Sequence, residues 1–312
     1  MQTTLPKMQN GTLSAASPTD RHAPRPPMPI HRPNPSDTPP QILCRDLEPG
    51  QLELHLMPVT SDCEDDLALL DSAERARALR FRRAADRVLF IQAHGLLRRV
   101  LSRYAAVAPE QWQFARGPWG KPALCPQGHP TLQDLRFNLS HCAGRAAVVV
   151  ARAREVGVDI ERFDALPQPA ELATSILGPH EQQGWQQLGT DLQAQQRFLM
   201  TRWTLKEAVL KGLGLGLTQV EPRHLEVLPT QDGSGWLARP CAAQSTVSLQ
   251  DWARHGWLHG GLDGDAHHWA LACERQPGDR VSWHTILHPG PSSRHGGRYC
   301  QLVETSVASH RD

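Results

Sequence analysis

Two short segments of this chain hold residue types that can do chemistry together. The first is Gly157-Val158-Asp159-Ile160-Glu161, in which two acids alternate with apolar residues. Such alternation reads as a strand, whose successive side chains point to opposite faces, so Asp159 and Glu161 share one face. The second is Trp203-Thr204-Leu205-Lys206-Glu207-Ala208-Val209-Leu210-Lys211-Gly212. It reads as a helix, with Glu207 and Lys211 one turn apart on one side. If strand and helix pack together, three carboxylates meet beside ammonium groups. Three hard oxygen ligands with room left for water suit magnesium, and magnesium suits a phosphate ester.

Each residue also has an ordinary explanation. An alternating Asp-Ile-Glu is commonly the exposed face of a half-buried strand. A Glu207–Lys211 pair on an open helix surface is worth only a few tenths of a kcal/mol. Trp203 suits a core or cleft wall. The match of the first acidic segment to a second one tips the balance towards chemistry, and two upstream segments bear on a family resemblance: Gly117-Pro118-Trp119-Gly120-Lys121-Pro122 and Phe137-Asn138-Leu139-Ser140-His141.

In this order the four segments resemble the signature of the Sfp-type 4'-phosphopantetheinyl transferases. That signature is a Gly-Lys-Pro loop, a Phe-Asn-(Ile/Leu)-Ser-His strand end, Gly-(Ile/Val)-Asp-(Ile/Val)-Glu, and Trp-x-x-Lys-Glu-Ala-x-x-Lys-x-x-Gly. The family usually has Ser after the His, where this chain has Cys142. The close resemblance spans 117–217, a looser one runs from about 44 to 275, and neither tail is covered.

The resemblance implies an α+β fold of two similar α/β halves, packed as a pseudo-dimer with the active site in the cleft between them. It implies transfer of the 4'-phosphopantetheinyl group from coenzyme A to a serine of an apo carrier protein of polyketide, nonribosomal peptide or fatty-acid synthesis. The products are holo carrier protein and adenosine 3',5'-bisphosphate. Residue by residue, it implies that Asp159, Glu161 and Glu207 hold magnesium. Glu207, Lys211 and Glu181 become the catalytic candidates. Arg77, Arg87, Lys121, Ser140, His141, Lys206 and Lys211 become the coenzyme A contacts. For Glu181 a first-turn role in starting a helix is an equal alternative. Two other functions stay open, a non-catalytic carrier-binding module and a magnesium-dependent pyrophosphate hydrolase.

The elements that must position these residues follow from the rest of the pattern. Leu52 to Leu56 alternates as an opening strand, and Asp71-Ser72-Ala73-Glu74 signals a helix start. A long helix is expected near Asp86, with Leu89, Ala93, Leu96 and Val100 on its apolar stripe and Arg98 and Arg99 off it. Strands are expected at 136–139, 146–151, 155–161, 225–228, 246–249 and 269–272, and helices at 169–177, 180–188 and 198–211. Gly212-Leu213-Gly214-Leu215-Gly216 follows a helix instead of opening one, so it reads as a helix stop and not a dinucleotide loop.

The chain has 312 residues and a formal charge of +1, which gives no argument for nucleic acid or a membrane surface. Seven scattered cysteines without a Cys-x-x-Cys pair argue against a disulfide framework and for a reducing cytoplasm. Ten of the 26 prolines fall in residues 1–40, which read as a disordered arm. The expected division is 1–40 arm, 41–153 N-terminal half, 154–275 C-terminal half with the metal site, and 276–312 a mostly disordered tail. A monomer is expected.

Overall fold

The computed structural model describes residues 44–48, 50–166, 168–241, 252, 256–274 and 281–290, together with the backbone of 301–308. In chain order the elements are β1 (Gln51–Pro58), α1 (Glu64–Leu69), α2 (Ser72–Ala78), α3 (Ala84–Leu101), β2 (Phe114–Arg116), β3 (Pro122–Leu124), β4 (Leu135–Cys142) and β5 (Arg145–Arg152). There follow β6 (Val156–Arg162), α4 (Pro169–Ile176), α5 (Pro179–Gln186), α6 (Leu192–Leu213), β7 (Leu225–Pro229), β8 (Trp236–Pro240), β9 (Gly256–Asp263), β10 (His267–Glu274), β11 (Val281–Leu287) and β12 (Gln301–Ala308). Helices and mostly antiparallel strands make this an α+β protein.

Period-2 patterning dictates how the layers stack. One sheet runs β12-β11-β1-β5-β4 and the other β6-β10-β9-β8-β7. In β5, Val148 and Val150 pack against Ala93, Leu96 and Val100 of α3. The alternate residues Ala147, Val149 and Ala151 turn the other way, to Val156, Val158 and Ile160 of β6 and to Trp269 and Leu271 of β10. The far face of the second sheet meets Leu205, Ala208 and Val209 of α6. The order is therefore α3, first sheet, second sheet, α6. Because Val158 and Ile160 face the first sheet, Gly157, Asp159 and Glu161 face the α6 side.

Local chemistry sets the boundaries. Asp71 caps α2 by accepting the Glu74 amide at 2.8 Å, while Glu74 accepts the Asp71 amide at 3.1 Å. Asp191 caps α6 through the Ala194 amide at 3.0 Å. Gly214 ends α6 in the left-handed region, at φ 68°. Among the described residues no helix is long and apolar enough to cross a membrane.

Three expectations change. Arg98 is not off the packed face of α3; it is fully buried, donating to Glu74 at 2.6 and 3.0 Å and to the carbonyls of Trp112 and Pro109. The stretch after 276 is not simply a tail. β11 lies parallel to β1, with Val281 and Trp283 buried, and β12 pairs with β11. The apolar alternation of 281–287 gives it a face to bury. The Gly-Lys-Pro segment, expected as a loop, is the turn of a short β2–β3 hairpin, with Pro122 already in β3. The expected strand at 246–249 and the arm at 1–40 lie outside the described residues.

Candidate active site

The site forms where the edge strands of the two sheets meet. β4 borders the first sheet and β6 the second, and side chains join them in place of a ladder. Asn138 and Ser140 share one face of β4. Asn138 Oδ1 accepts the Val158 amide at 3.0 Å, and Ser140 Oγ donates to Asp159 Oδ1 at 2.8 Å. From α6, Lys211 Nζ donates to the same Asp159 oxygen at 2.5 Å and to Ser140 Oγ at 2.9 Å. Asp159 and Ser140 are buried, while 29% of the Lys211 side chain remains exposed. Gly157 explains how α6 comes so close. A Cβ there would sit 2.0 Å from the Ala208 carbonyl oxygen and 2.5 Å from the Gly212 nitrogen. Asn138 and Gly157 were visible inside the motifs, but their role depends on which element lies opposite.

The electrostatics are those of crowded acids around one base. Burial, and then Asp159 and Glu207, push the Glu161 carboxyl up to about 7, opposed by Lys211 and the Trp203 indole. Burial and Asp159 push Glu207 up to about 6. Burial works against the Lys211 ammonium, but Asp159, Glu207 and Glu161 outweigh it and hold its pKa above the ordinary value. Two buried carboxylate oxygens, Asp159 Oδ2 and Glu207 Oε1, have no hydrogen-bond partner. Among the described residues no three His, Cys, Asp or Glu side chains are already drawn together as a metal shell. The donor set nonetheless fits a hard cation, since it offers carboxylate oxygens only, two of them unsatisfied and all mutually repelling.

The other expected residues divide. His141 follows Ser140 on β4, and burial, then His94, Lys211 and Arg77, push its pKa down to about 4. Arg77 stacks over Phe90 at 5.2 Å. Burial, then the like charges of Arg116 and Arg80, lower its pKa. Arg77, His141 and Lys211 thus share one basic neighbourhood, to which the structure adds Arg116, unremarked in the sequence. Arg87 is exposed on α3 and acts electrostatically on Cys63, with no hydrogen bond or ion pair to the site among the described residues.

Three of the expected residues are engaged within the protein. Lys206 and Glu181 form a buried pair with each other, 2.5 Å apart. Lys206 Nζ also donates to the Ile176 carbonyl, and Glu181 accepts the Gly178 and Val227 amides at 2.8 and 3.0 Å. Through the Gly178 amide, Glu181 makes the helix-start contact. Lys121 donates to Glu155 and to two backbone carbonyls, so its ammonium hydrogens are already spent.

An open cleft of about 550 Å³ lies over the 117–122 loop, lined by Arg116, Trp119, Lys121, Phe137 and Leu213 among others. It does not touch Asp159, Glu207 or Lys211. A smaller cavity of about 270 Å³ opens on Glu161, beside Cys142 and Arg162.

Residues 155–272 match the family described as the 4'-phosphopantetheinyl transferase superfamily, and residues 55–154 match the family described as 4'-phosphopantetheinyl transferase, N-terminal. The chain is 32% identical over 184 residues to the 4'-phosphopantetheinyl transferase HetI of Nostoc sp., across 57% of this chain and 76% of that protein. It is 28% identical over 160 residues to a phosphopantetheinyl transferase of Thraustochytrium sp., across 47% of this chain and 54% of that protein. Among solved structures, the holo-(acyl-carrier-protein) synthase of Thermotoga maritima aligns at 24% identity and a TM-score of 0.30, covering 41% of this chain and 67% of that one.

Proposed function

This chain belongs to the 4'-phosphopantetheinyl transferase family, and on that footing we propose that it loads an apo carrier protein from coenzyme A with the help of magnesium. The observation that carries the reading is Lys211 held on Asp159 beside Ser140, with Glu161 and Glu207 near enough to act on both charges and two carboxylate oxygens left without a hydrogen-bond partner. Asp159, Glu161 and Glu207 are the residues to hold the ion. When bound, magnesium supplies positive charge beside the pyrophosphate oxygens.

The carrier serine hydroxyl attacks the β-phosphorus of coenzyme A. A P–O bond forms to the serine oxygen while the bond to the bridging pyrophosphate oxygen breaks. Adenosine 3',5'-bisphosphate leaves with that electron pair. Lys211 stays protonated because the three acids favour its charge, and its ammonium offsets charge developing on the transferring phosphoryl group. A carboxylate of the cluster takes the serine proton, and Glu207 has an oxygen without a hydrogen-bond partner for it. Ser140 fixes Asp159 against Lys211. Arg77, His141 and Arg116 are proposed to meet the phosphates at the nucleotide end. Placement of one long helix on the outer face of each sheet supports the reading of two similar halves. The free thiols of Cys63, Cys125, Cys142 and Cys241 support a reducing, cytoplasmic setting.

Mass spectrometry of an apo carrier protein after incubation with the chain, magnesium and coenzyme A tests the proposal. A mass gain of one phosphopantetheinyl group, with release of adenosine 3',5'-bisphosphate, is expected. Coenzyme A consumption without carrier modification, or carrier binding without either, would overturn it.

A further inference from the structure

The ammonium of Lys121 has three hydrogens and three protein acceptors. It donates to Glu155 Oε2 at 2.6 Å, to the Gly212 carbonyl at 2.7 Å and to the Val156 carbonyl at 3.1 Å. Its side chain is 16% exposed. Those acceptors belong to different elements. Gly212 lies in the last turn of α6, where carbonyls lack helical partners and a cation is favourable. Val156 opens β6, shortly before Asp159 and Glu161. Glu155 is also held on its other oxygen by Arg136 of β4, at 2.9 Å, and β4 carries Ser140. The lysine itself arrives on a tight loop, closed by the Gly117 amide on the Lys121 carbonyl at 2.9 Å and turned by Gly120 at φ 89°.

We propose that Lys121 is a positioning residue that clamps β6 to the C-terminal end of α6 and so sets the spacing between the Asp159–Glu161 pair and the Glu207–Lys211 pair. What that spacing serves rests on the transferase reading, but the clamp stands on its own geometry. It sits where strand and helix backbones touch at Gly157, so small displacements there reach both pairs. Two carboxylates on a strand and a carboxylate and an ammonium on a helix have no covalent link near the site. Within the cluster Lys211 ties the helix to Asp159, but the repulsion among the acids is left for contacts outside it to resist. Lys121 does so from behind, binding carbonyls at the ends of both elements without entering the cluster. A phosphate ligand would instead have to break three hydrogen bonds to reach this ammonium, exposing two carbonyls and a carboxylate.

The test compares Lys121→Met with the unaltered full chain by hydrogen exchange and mass spectrometry, alongside steady-state transfer kinetics. Methionine keeps the length and apolar stem and removes the donors. Exchange in peptides covering 156–162 and 205–214 should accelerate about tenfold or more, while peptides from α3 stay unchanged. Transfer kcat should fall about 10- to 100-fold, the range of supporting residues behind a reactive cluster, with the KM for coenzyme A and for dephospho-coenzyme A nearly constant. Unchanged exchange overturns the clamp, whether kcat is kept with a raised KM, as for a phosphate ligand, or nothing changes. If the methionine variant does not fold, Glu155→Gln weakens the same clamp from its acceptor side. Local acceleration in that variant supports the proposal, and none sinks it. An unaltered chain that fails to transfer would overturn the functional reading while the exchange data still judge the clamp.

Discussion

Glu161 and Glu207 are held in a state that favours the proton, and this has a measurable cost in the metal-free protein. An acid whose folded pKa is raised contributes stability that is fully present below its unfolded pKa and lost as pH rises through the folded value. For Glu161, pushed up to about 7, that window runs from about pH 4.5 to about 7. The full effect is of order 3 kcal/mol. In chelator, Glu161→Gln should therefore melt higher than the unaltered chain at pH 8 and no higher near pH 4. With magnesium the order should reverse in function: the unaltered chain gains melting temperature and transfers, and the variant does neither. Calorimetric melts across pH, with and without the ion, check both halves. Asp159→Ala should lose about 100-fold or more in kcat/KM while remaining folded by circular dichroism, since it removes the shared partner of Lys211 and Ser140.

The same scale shows what sequence can reveal about residues. Asp159, Glu161, Glu207 and Lys211 were legible because periods of 2 and 3.6 fix which side chains share a face. Lys206 was not, because neighbouring helix residues diverge by about 100° and its direction depends on what packs there. It meets Glu181 in the interior. Glu181→Ala strands that ammonium and should cost about 3–5 kcal/mol in urea unfolding. Turnover per folded molecule should hold in the cold. Lost turnover with unchanged stability would return Glu181 to the chemistry.

At the level of elements, the site depends on how closely α6 lies on β6. Gly157→Ala forces a methyl against the Ala208 carbonyl and the Gly212 nitrogen, backbone atoms that cannot swing aside. A loss of about 3 kcal/mol or more is expected in chemical denaturation, at the upper end for overpacking. A serine there should be as bad, whereas an alanine at Gly233, where a Cβ meets nothing within 4 Å but φ is 70°, should cost only about 1–2 kcal/mol of turn strain and leave the cluster untouched. Most elements bearing the motifs could be read locally, since their apolar alternation or helical stripe lies within one segment. The partners of Arg98 and β11 could not. The guanidinium finds its acid 24 residues earlier, on another helix, and β11 finds β1 from the other end of the chain. Neither partnership leaves a local trace in composition.

Across the whole molecule, β11 makes the C-terminal region part of the first sheet. Ending the chain at Gly278 would remove Trp283 and Val281 from the layer between the sheets and leave Leu52, Leu54 and Leu56 of β1 without that neighbour. Such a chain should be insoluble or partly unfolded, judged by soluble yield and near-ultraviolet dichroism, even though every residue assigned to the chemistry is present in it.

The seam between β4 and β6 has one more consequence. Both strands end their sheets, and an unpaired strand edge is a template on which another chain can add. Here Asn138 occupies the Val158 amide, so each edge guards the other and neither offers a full row of open groups. Asn138→Ala should uncover that amide and, beyond weakening transfer, raise light scattering during refolding at micromolar concentration. The junction that brings the reactive groups together thus also keeps separate copies of the protein from zipping into one sheet.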